Sequence, residues 1–173
     1  MMSSPLARRA ALILTVALAS SAGAAACSRG VRSADSLALN QTVQHGLIGL
    51  DGSAVTLPIP GTRATVLHFW SPGCSSCRST IPALIRKRPE IQATGASLVL
   101  VCVLGSGDSP DDARAVLALW GIYEPFVIDR QGAAMNVIGA PSLPAVAILD
   151  ERGVLTWLAP DGITPSDVVR ALP

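Results

Sequence analysis

Cys74 and Cys77 stand on either side of two serines in the run F-W-S-P-G-C-S-S-C-R, residues 69–78. A pair at this spacing can be half of a zinc site, a structural disulfide or a redox centre, and each demands different company. Zinc takes four ligands, so a half-site needs a second pair of cysteines or histidines. None is present: Cys27 belongs to an N-terminal apolar region, Cys102 stands alone in an apolar run, and His45 and His68 are not paired. Covalent haem attachment needs a histidine directly after the second cysteine, and that position is Arg78. No metal is therefore expected. An oxidising compartment would allow a structural disulfide, but closing so short a loop removes little entropy from the unfolded chain.

The elements around the pair favour redox chemistry over a staple. Residues 65–70, T-V-L-H-F-W, form an apolar run suited to a buried strand, and they lead through Ser71, Pro72 and Gly73 directly to Cys74. From Ser75 to about Ile85 the spacing of Ile81, Leu84 and Ile85 predicts a helix, with Pro82 as a kink. Cys74 is thus expected to open a helix, where unpaired N–H groups and the helix dipole favour a thiolate. Cys77, one turn later, is placed to attack a mixed disulfide formed on Cys74.

The rest of the chain reads as alternating strands and helices, the signature of a layered α/β fold. Asp51-Gly52 between two apolar stretches, at 45–50 and 55–57, signals a hairpin at the start of the domain. Residues 97–104 are a continuous apolar run, as in a strand covered on both faces. Ser109, Pro110 and Asp112 carry the cap, proline and acid of a helix start, and Gly121 marks its end. Trp120 falls on the apolar face of that helix and is read as core. A strand at 126–128, a short helix near 133–138, a hairpin at 145–149 and 155–158, and a helix opened by Thr164, Pro165 and Asp167 complete the order. Arg86, Lys87 and Arg88 are read as a solvated helix end, Cys102 as a small buried hydrophobe, and Trp157 as core.

With this order of elements, the run F-W-S-P-G-C-S-S-C-R-S-T-I-P and the downstream S-L-P-A-V-A-I-L-D-E-R-G resemble the exported TlpA/ResA-like thiol-disulfide oxidoreductases. The resemblance covers residues 41–173. It implies a thioredoxin-like fold: a mixed central sheet flanked by helices, here with an N-terminal β-hairpin extension. It implies that Cys74 and Cys77 form a redox-active disulfide that needs no other cofactor. It also implies that Pro144 follows a cis peptide bond and that Leu143 and Pro144 dock substrate. Gly73 and Trp70 are further substrate-binding candidates, with Trp70 packing under the active site. The family usually carries tryptophan before the first cysteine and often proline before the second, whereas this chain has Gly73 and Ser76. The Ser-Pro-x-Cys-x-x-Cys pattern also resembles the thioredoxin-like maturation proteins of methylamine dehydrogenase, so a non-catalytic binding or chaperone module in metalloenzyme assembly is the alternative function. His68 occupies the strand position where thioredoxins commonly bury an acid, which makes it a candidate for moving the proton of Cys77; a neutral imidazole bonded to backbone is the structural alternative.

The N-terminus supplies the location. Arg8 and Arg9, an apolar stretch from Ala10 and a run of small residues form the three regions of a secretory signal, residues 1–26, followed by a tether at 27–40. Ala24-Ala25-Ala26-Cys27 resembles a lipoprotein box with Ala24 in place of the usual leucine, which makes Cys27 a lipidation candidate and the N-terminus a candidate membrane attachment. The expected location is the periplasm or the outer face of the cell membrane. The net charge of +1 and a single lysine, Lys87, offer no basic surface for nucleic acid. The expected partners are exported thiol or disulfide proteins, apocytochrome c among them, and a membrane electron donor.

Overall fold

A computed structural model describes residues 47–159 and 162–173 of the 173-residue chain. The signal segment, the tether, Cys27 and His45 lie outside the described residues.

Among the described residues, seven strands form one mixed sheet in the order β2-β1-β5-β4-β3-β6-β7. An interior strand, β3 (Ala64–Trp70), is a run of mostly β-branched, aliphatic and aromatic residues buried along its whole length. It pairs in parallel with β4 (Ala96–Leu104), which pairs in parallel with β5 (Phe126–Arg130). On the other side it pairs antiparallel with β6 (Ala145–Asp150), which turns at Gly153 into β7 (Leu155–Ala159). The N-terminal hairpin, β1 (Leu47–Ile48) and β2 (Ala54–Val55), adds two short strands to the β5 edge, with Ile48 opposite Ile128. Asp51 holds its turn by accepting from the Ser53 N–H at 2.9 Å and the Ser53 hydroxyl at 2.6 Å.

Side chains of β3 alternate between the two faces of the sheet. Leu67 and Phe69 pack with Ala134 and Ile138 of α4 (Ala133–Ile138) and with Leu47 and Leu57. Ala64, Val66 and Trp70 face the opposite layer, built from α1 (Cys77–Arg86), α2 (Arg88–Ala93), α3 (Pro110–Leu119) and α5 (Pro165–Ala171). This parity sends His68 toward the layer that carries α1. The expected α/β sheet with flanking helices and an N-terminal hairpin is what forms.

Two local expectations change, the start of the helix and the reading of Arg88. The helix over the cysteines begins at Cys77 and not at Cys74; the segment before it is a turn, with the Cys77 N–H donating to the Cys74 carbonyl at 3.2 Å. Pro82 lies inside α1 without ending it. The break comes at Lys87, ahead of Pro89, which sits in the first turn of α2, where its missing N–H leaves no helical bond unmade. Arg88 is consequently not a solvated helix end. It is half-buried and donates to the Glu124 carboxylate at 2.8 Å, pinning α2 to the loop before β5.

Candidate active site

The redox candidates sit where β3 hands the chain to α1. Ser71, Pro72 and Gly73 leave the end of the strand, and the Cys74 N–H donates back to the Ser71 carbonyl at 3.1 Å. This tight turn brings Cys74 and Cys77 together in a disulfide, with a Cα–Cα distance of 5.4 Å. The two are not equally accessible: Cys74 keeps 9% of its surface and Cys77 none. An incoming sulfur can therefore reach Cys74 first. The Ser76 hydroxyl lies 3.8 Å from Cys74 Sγ, close enough to donate to a thiolate there. The ten-residue α1 points its N-terminus at the same place, which also favours negative charge on the Cys74 sulfur.

Beneath the pair lies an apolar bed of Trp70, Ile81, Leu100 and Cys102. Trp70 packs edge-on to Phe126, with ring centroids 5.6 Å apart, and tilted against Trp120 at 6.0 Å. Trp70 is fully buried, so it supports the site from below and is not part of a docking surface as expected. The reason is its position at the end of β3 with its side chain turned under α1. Trp120 is half-buried rather than core, and it covers the outer side of Trp70. Cys102 is buried and free; burial and the neighbouring Asp108 push its thiol up to about 12, so it stays protonated and is no nucleophile at neutral pH.

Gly73 is exposed beside Cys74. The Leu143–Pro144 peptide is cis, Leu143 packs against the cluster that contains both cysteines, and Pro144 is buried at the entry to β6. The structure thus gathers Cys74, Cys77, Gly73 and Leu143 at one end of the sheet.

His68 is set deeper. It is fully buried, and burial pushes it down to about 4, which makes it a neutral imidazole at neutral pH. Its Nε2 lies 3.3 Å from the Thr80 hydroxyl, and its Nδ1 has no hydrogen-bond partner. Thr80 also lies 3.4 Å from the Ser76 and Cys77 carbonyls, so one hydroxyl joins the histidine to the first turn of α1. Thr80 and Ser76 were not singled out from sequence. The available signal was periodicity: Thr80 is three residues beyond Cys77 on a helix, and His68 shares the strand parity of the residues facing that helix. Among the described residues no three of His, Cys, Asp and Glu come together as a metal site.

No family model matches the chain. Individual relatives do. The chain is 30% identical over 134 residues to the thioredoxin-like protein YneN of Bacillus subtilis, an alignment that spans 76% of each protein. The chain belongs to the thioredoxin-like proteins. It is also 26% identical over 110 residues to the thiol-disulfide oxidoreductase ResA of Geobacillus thermodenitrificans, across 64% of this chain and 62% of that relative. Among solved structures, the exposed lipoprotein thioredoxin Etrx1 of Streptococcus pneumoniae strain TIGR4 superposes with a TM-score of 0.60 at 23% identity, covering 74% of this chain and 96% of its own. That likeness concerns the fold. The β3–turn–α1 unit and the cis Leu143–Pro144 bond of this thioredoxin-like chain carry the family features expected from its sequence.

Proposed function

We propose that the chain is a protein thiol-disulfide oxidoreductase that works outside the cytoplasm through Cys74 and Cys77, more as a reductant than as an oxidant. The single observation that carries the reading is the asymmetric pair: a disulfide at the mouth of α1 in which Cys74 keeps a small accessible surface and Cys77 keeps none. In the reduced protein, the Cys74 thiolate attacks a disulfide of the partner. One partner sulfur leaves as a thiolate and the other joins Cys74 in a mixed disulfide. Cys77, deprotonated, then attacks the Cys74 sulfur and expels the second partner thiolate. Two electrons have passed to the partner, and the Cys74–Cys77 disulfide has re-formed. Run backward, the same steps oxidise a dithiol, so direction follows the reduction potentials of the partners.

His68 is neutral in this scheme and takes part as a proton acceptor for Cys77, with Thr80 as the neighbour that holds its Nε2. Leu143 and the backbone before Pro144 dock the partner chain, with Gly73 leaving room beside Cys74. The pair is its own redox group and calls for no further cofactor. The signal-like residues 1–26 and Cys27 support export and attachment to the membrane by lipidation. The partners are then exported thiol or disulfide proteins, for which apocytochrome c is the type, with a membrane-embedded dithiol carrier returning electrons to Cys74–Cys77.

The test is turnover. The protein should catalyse reduction of insulin by dithiothreitol, and Cys74→Ser should abolish the catalysis while the fold persists by circular dichroism. A Cys74→Ser variant as active as the parent would refute the assignment.

A further inference from the structure

The outer face of α3 carries Ala115, Ala118 and Leu119 at i, i+3 and i+4, the spacing of an apolar stripe, and all three are exposed. Gly121, at φ 71°, ends the helix. The Ile122 N–H then donates to the Leu117 carbonyl at 2.9 Å, which tucks Ile122 inward and leaves the next residue, Tyr123, outside. Among the described residues the exposed large hydrophobic side chains are Leu50, Leu119 and Tyr123, at 38%, 81% and 85%. They share one side of the molecule. Because β1 runs antiparallel to β5, with Ile48 opposite Ile128, the chain after β1 heads for the start of β5 and brings Leu50 there. Leu50, Ala118 and Tyr123 border a groove of about 300 Å³ whose floor is the buried Leu117, Ile122 and Phe126. Scattered apolar residues on a surface need no explanation, but a group gathered on one face marks a contact.

The chemistry and size of this patch select its partner. Arg114 and Glu124 also border the groove, but Arg114 is paired with Asp111 and Glu124 with Arg88, so neither charge is left to recognise an ionic ligand. A stable contact between two proteins takes about 20 to 30 residues a side, far more than are gathered here. A second copy would therefore gain little from it. A bilayer needs less, because attachment at Cys27 would already hold it close. The chain enters β1 at Leu47, three residues before Leu50, and residues 27–46 can span at most about 70 Å. Held within that reach, contacts too weak to capture a membrane from solution are enough to orient the domain on it. The residue types agree: tyrosine, with an apolar ring and a polar tip, suits the headgroup boundary, and leucine suits the edge of the acyl region.

Resting on the export and lipidation reading above, we infer that the face formed by Leu119, Tyr123 and Leu50 seats on the lipid bilayer to which the chain is attached. The contact gives the tethered domain an orientation. Strands β3, β4 and β5 run parallel, so the start of β5 lies away from the strand ends beside which Cys74 sits. A bilayer at the groove thus leaves Cys74 open to protein partners.

The test uses the full chain, anchored through its own N-terminus in vesicles of equal parts phosphatidylethanolamine and phosphatidylglycerol. A photoreactive benzophenone side chain replaces, one at a time, Leu119, Tyr123 and, as a control on the strand at the other edge of the sheet, the exposed Thr156 of β7. After irradiation, mass spectrometry should find lipid adducts at 119 and 123 and few at 156. Leu119→Ser should lower the adduct yield at 123 severalfold. It should leave insulin reduction at the parent rate, because Leu119 is exposed and lies outside the cluster beneath the cysteines. Equal lipid adducts at all three positions, or none at 119 and 123, would overturn the inference while leaving attachment at Cys27 intact. Chain-to-chain adducts would make the patch a contact between copies, and adducts to residues 28–46 would give it to the chain's own N-terminal segment; either would overturn it too. A full-length protein that carries no acyl chain on Cys27 and does not float with the vesicles would instead defeat the attachment reading, and the inference with it.

Discussion

His68 illustrates how one buried position constrains a mechanism. An imidazole pushed down to about 4 carries no charge at neutral pH, so it cannot favour a thiolate as a cation would. What is left to it is proton transfer, and the Thr80 hydroxyl at 3.3 Å fixes which nitrogen faces α1. His68→Asn should therefore slow resolution of the mixed disulfide by about tenfold, a modest share of what a positioned base contributes, and slow its formation much less. Stopped-flow traces that separate the two phases over a pH series provide the check. Equal slowing of both phases, or of neither, would leave His68 as packing. The cysteine pair was legible in sequence from the C-x-x-C spacing, and the cis bond before Pro144 from the family resemblance, while His68 was marked only by its place in the strand that feeds the pair. Ser76 and Thr80 were not, because a serine and a threonine carry no signal until the turn and the helix bring their hydroxyls beside a sulfur and an imidazole. Trp70 packs under the active site, as its place at the end of the strand that feeds the pair suggested, and its full burial removes it from the substrate side.

At the scale of elements, what positions the site is the meeting of a buried strand with a helix, steadied by neighbours whose ends are well capped. In α3, Ser109 accepts from the Asp112 N–H at 3.1 Å while the Asp112 carboxylate accepts from the Ser109 N–H at 3.0 Å, a complete capping box. The helix carries Ala113 and Leu117 into the cluster beneath the cysteines. Ser109→Ala should cost about 1 kcal/mol of stability, read as a lower urea midpoint with an unchanged slope, and should leave disulfide exchange alone. This box and its counterpart at Thr164 and Asp167 were readable in advance because capping is local chemistry within four residues. The start of α1 was not, since the turn from Ser71 to Ser76 depends on the handover from β3. The break at Lys87 was likewise hidden, because Pro82 and Pro89 look alike in sequence and differ only in their place along the helices. The Arg88–Glu124 pair joins residues 36 apart, a distance that no periodicity spans.

The whole molecule couples its stability to the same histidine. In the unfolded chain His68 titrates near its ordinary value of 6.5, whereas in the fold burial holds it to about 4. Between those values the unfolded state binds a proton that the folded state refuses, so stability rises with pH across the window and falls as pH drops from 6.5 toward 4. The full effect approaches about 3 kcal/mol. Urea melts at pH 7.0, 5.5 and 4.5 should show this loss, and His68→Asn should remove most of it; a parent protein whose stability is flat over that range would show that His68 is not held neutral. The order of strands and helices was legible from sequence, because hydrophobic period and turn residues specify each element separately. The sheet order was not written in any one segment. It placed the hairpin beside β5, far along the chain, and formed a cavity between α1, β6 and α5.

The most direct test of the central claim is to ask which sulfur a partner becomes bound to. Full-length Cys77→Ser and Cys74→Ser proteins, reduced and then mixed with a disulfide-bonded protein substrate, can be quenched with acid and the covalent adducts mapped by mass spectrometry without reductant. The residual accessibility of Cys74 and the complete burial of Cys77 predict that Cys77→Ser accumulates a mixed disulfide on Cys74, because attack survives and resolution does not, and that Cys74→Ser accumulates little. Adducts formed mainly on Cys77 in Cys74→Ser, with Cys74 unreactive in Cys77→Ser, would contradict the account.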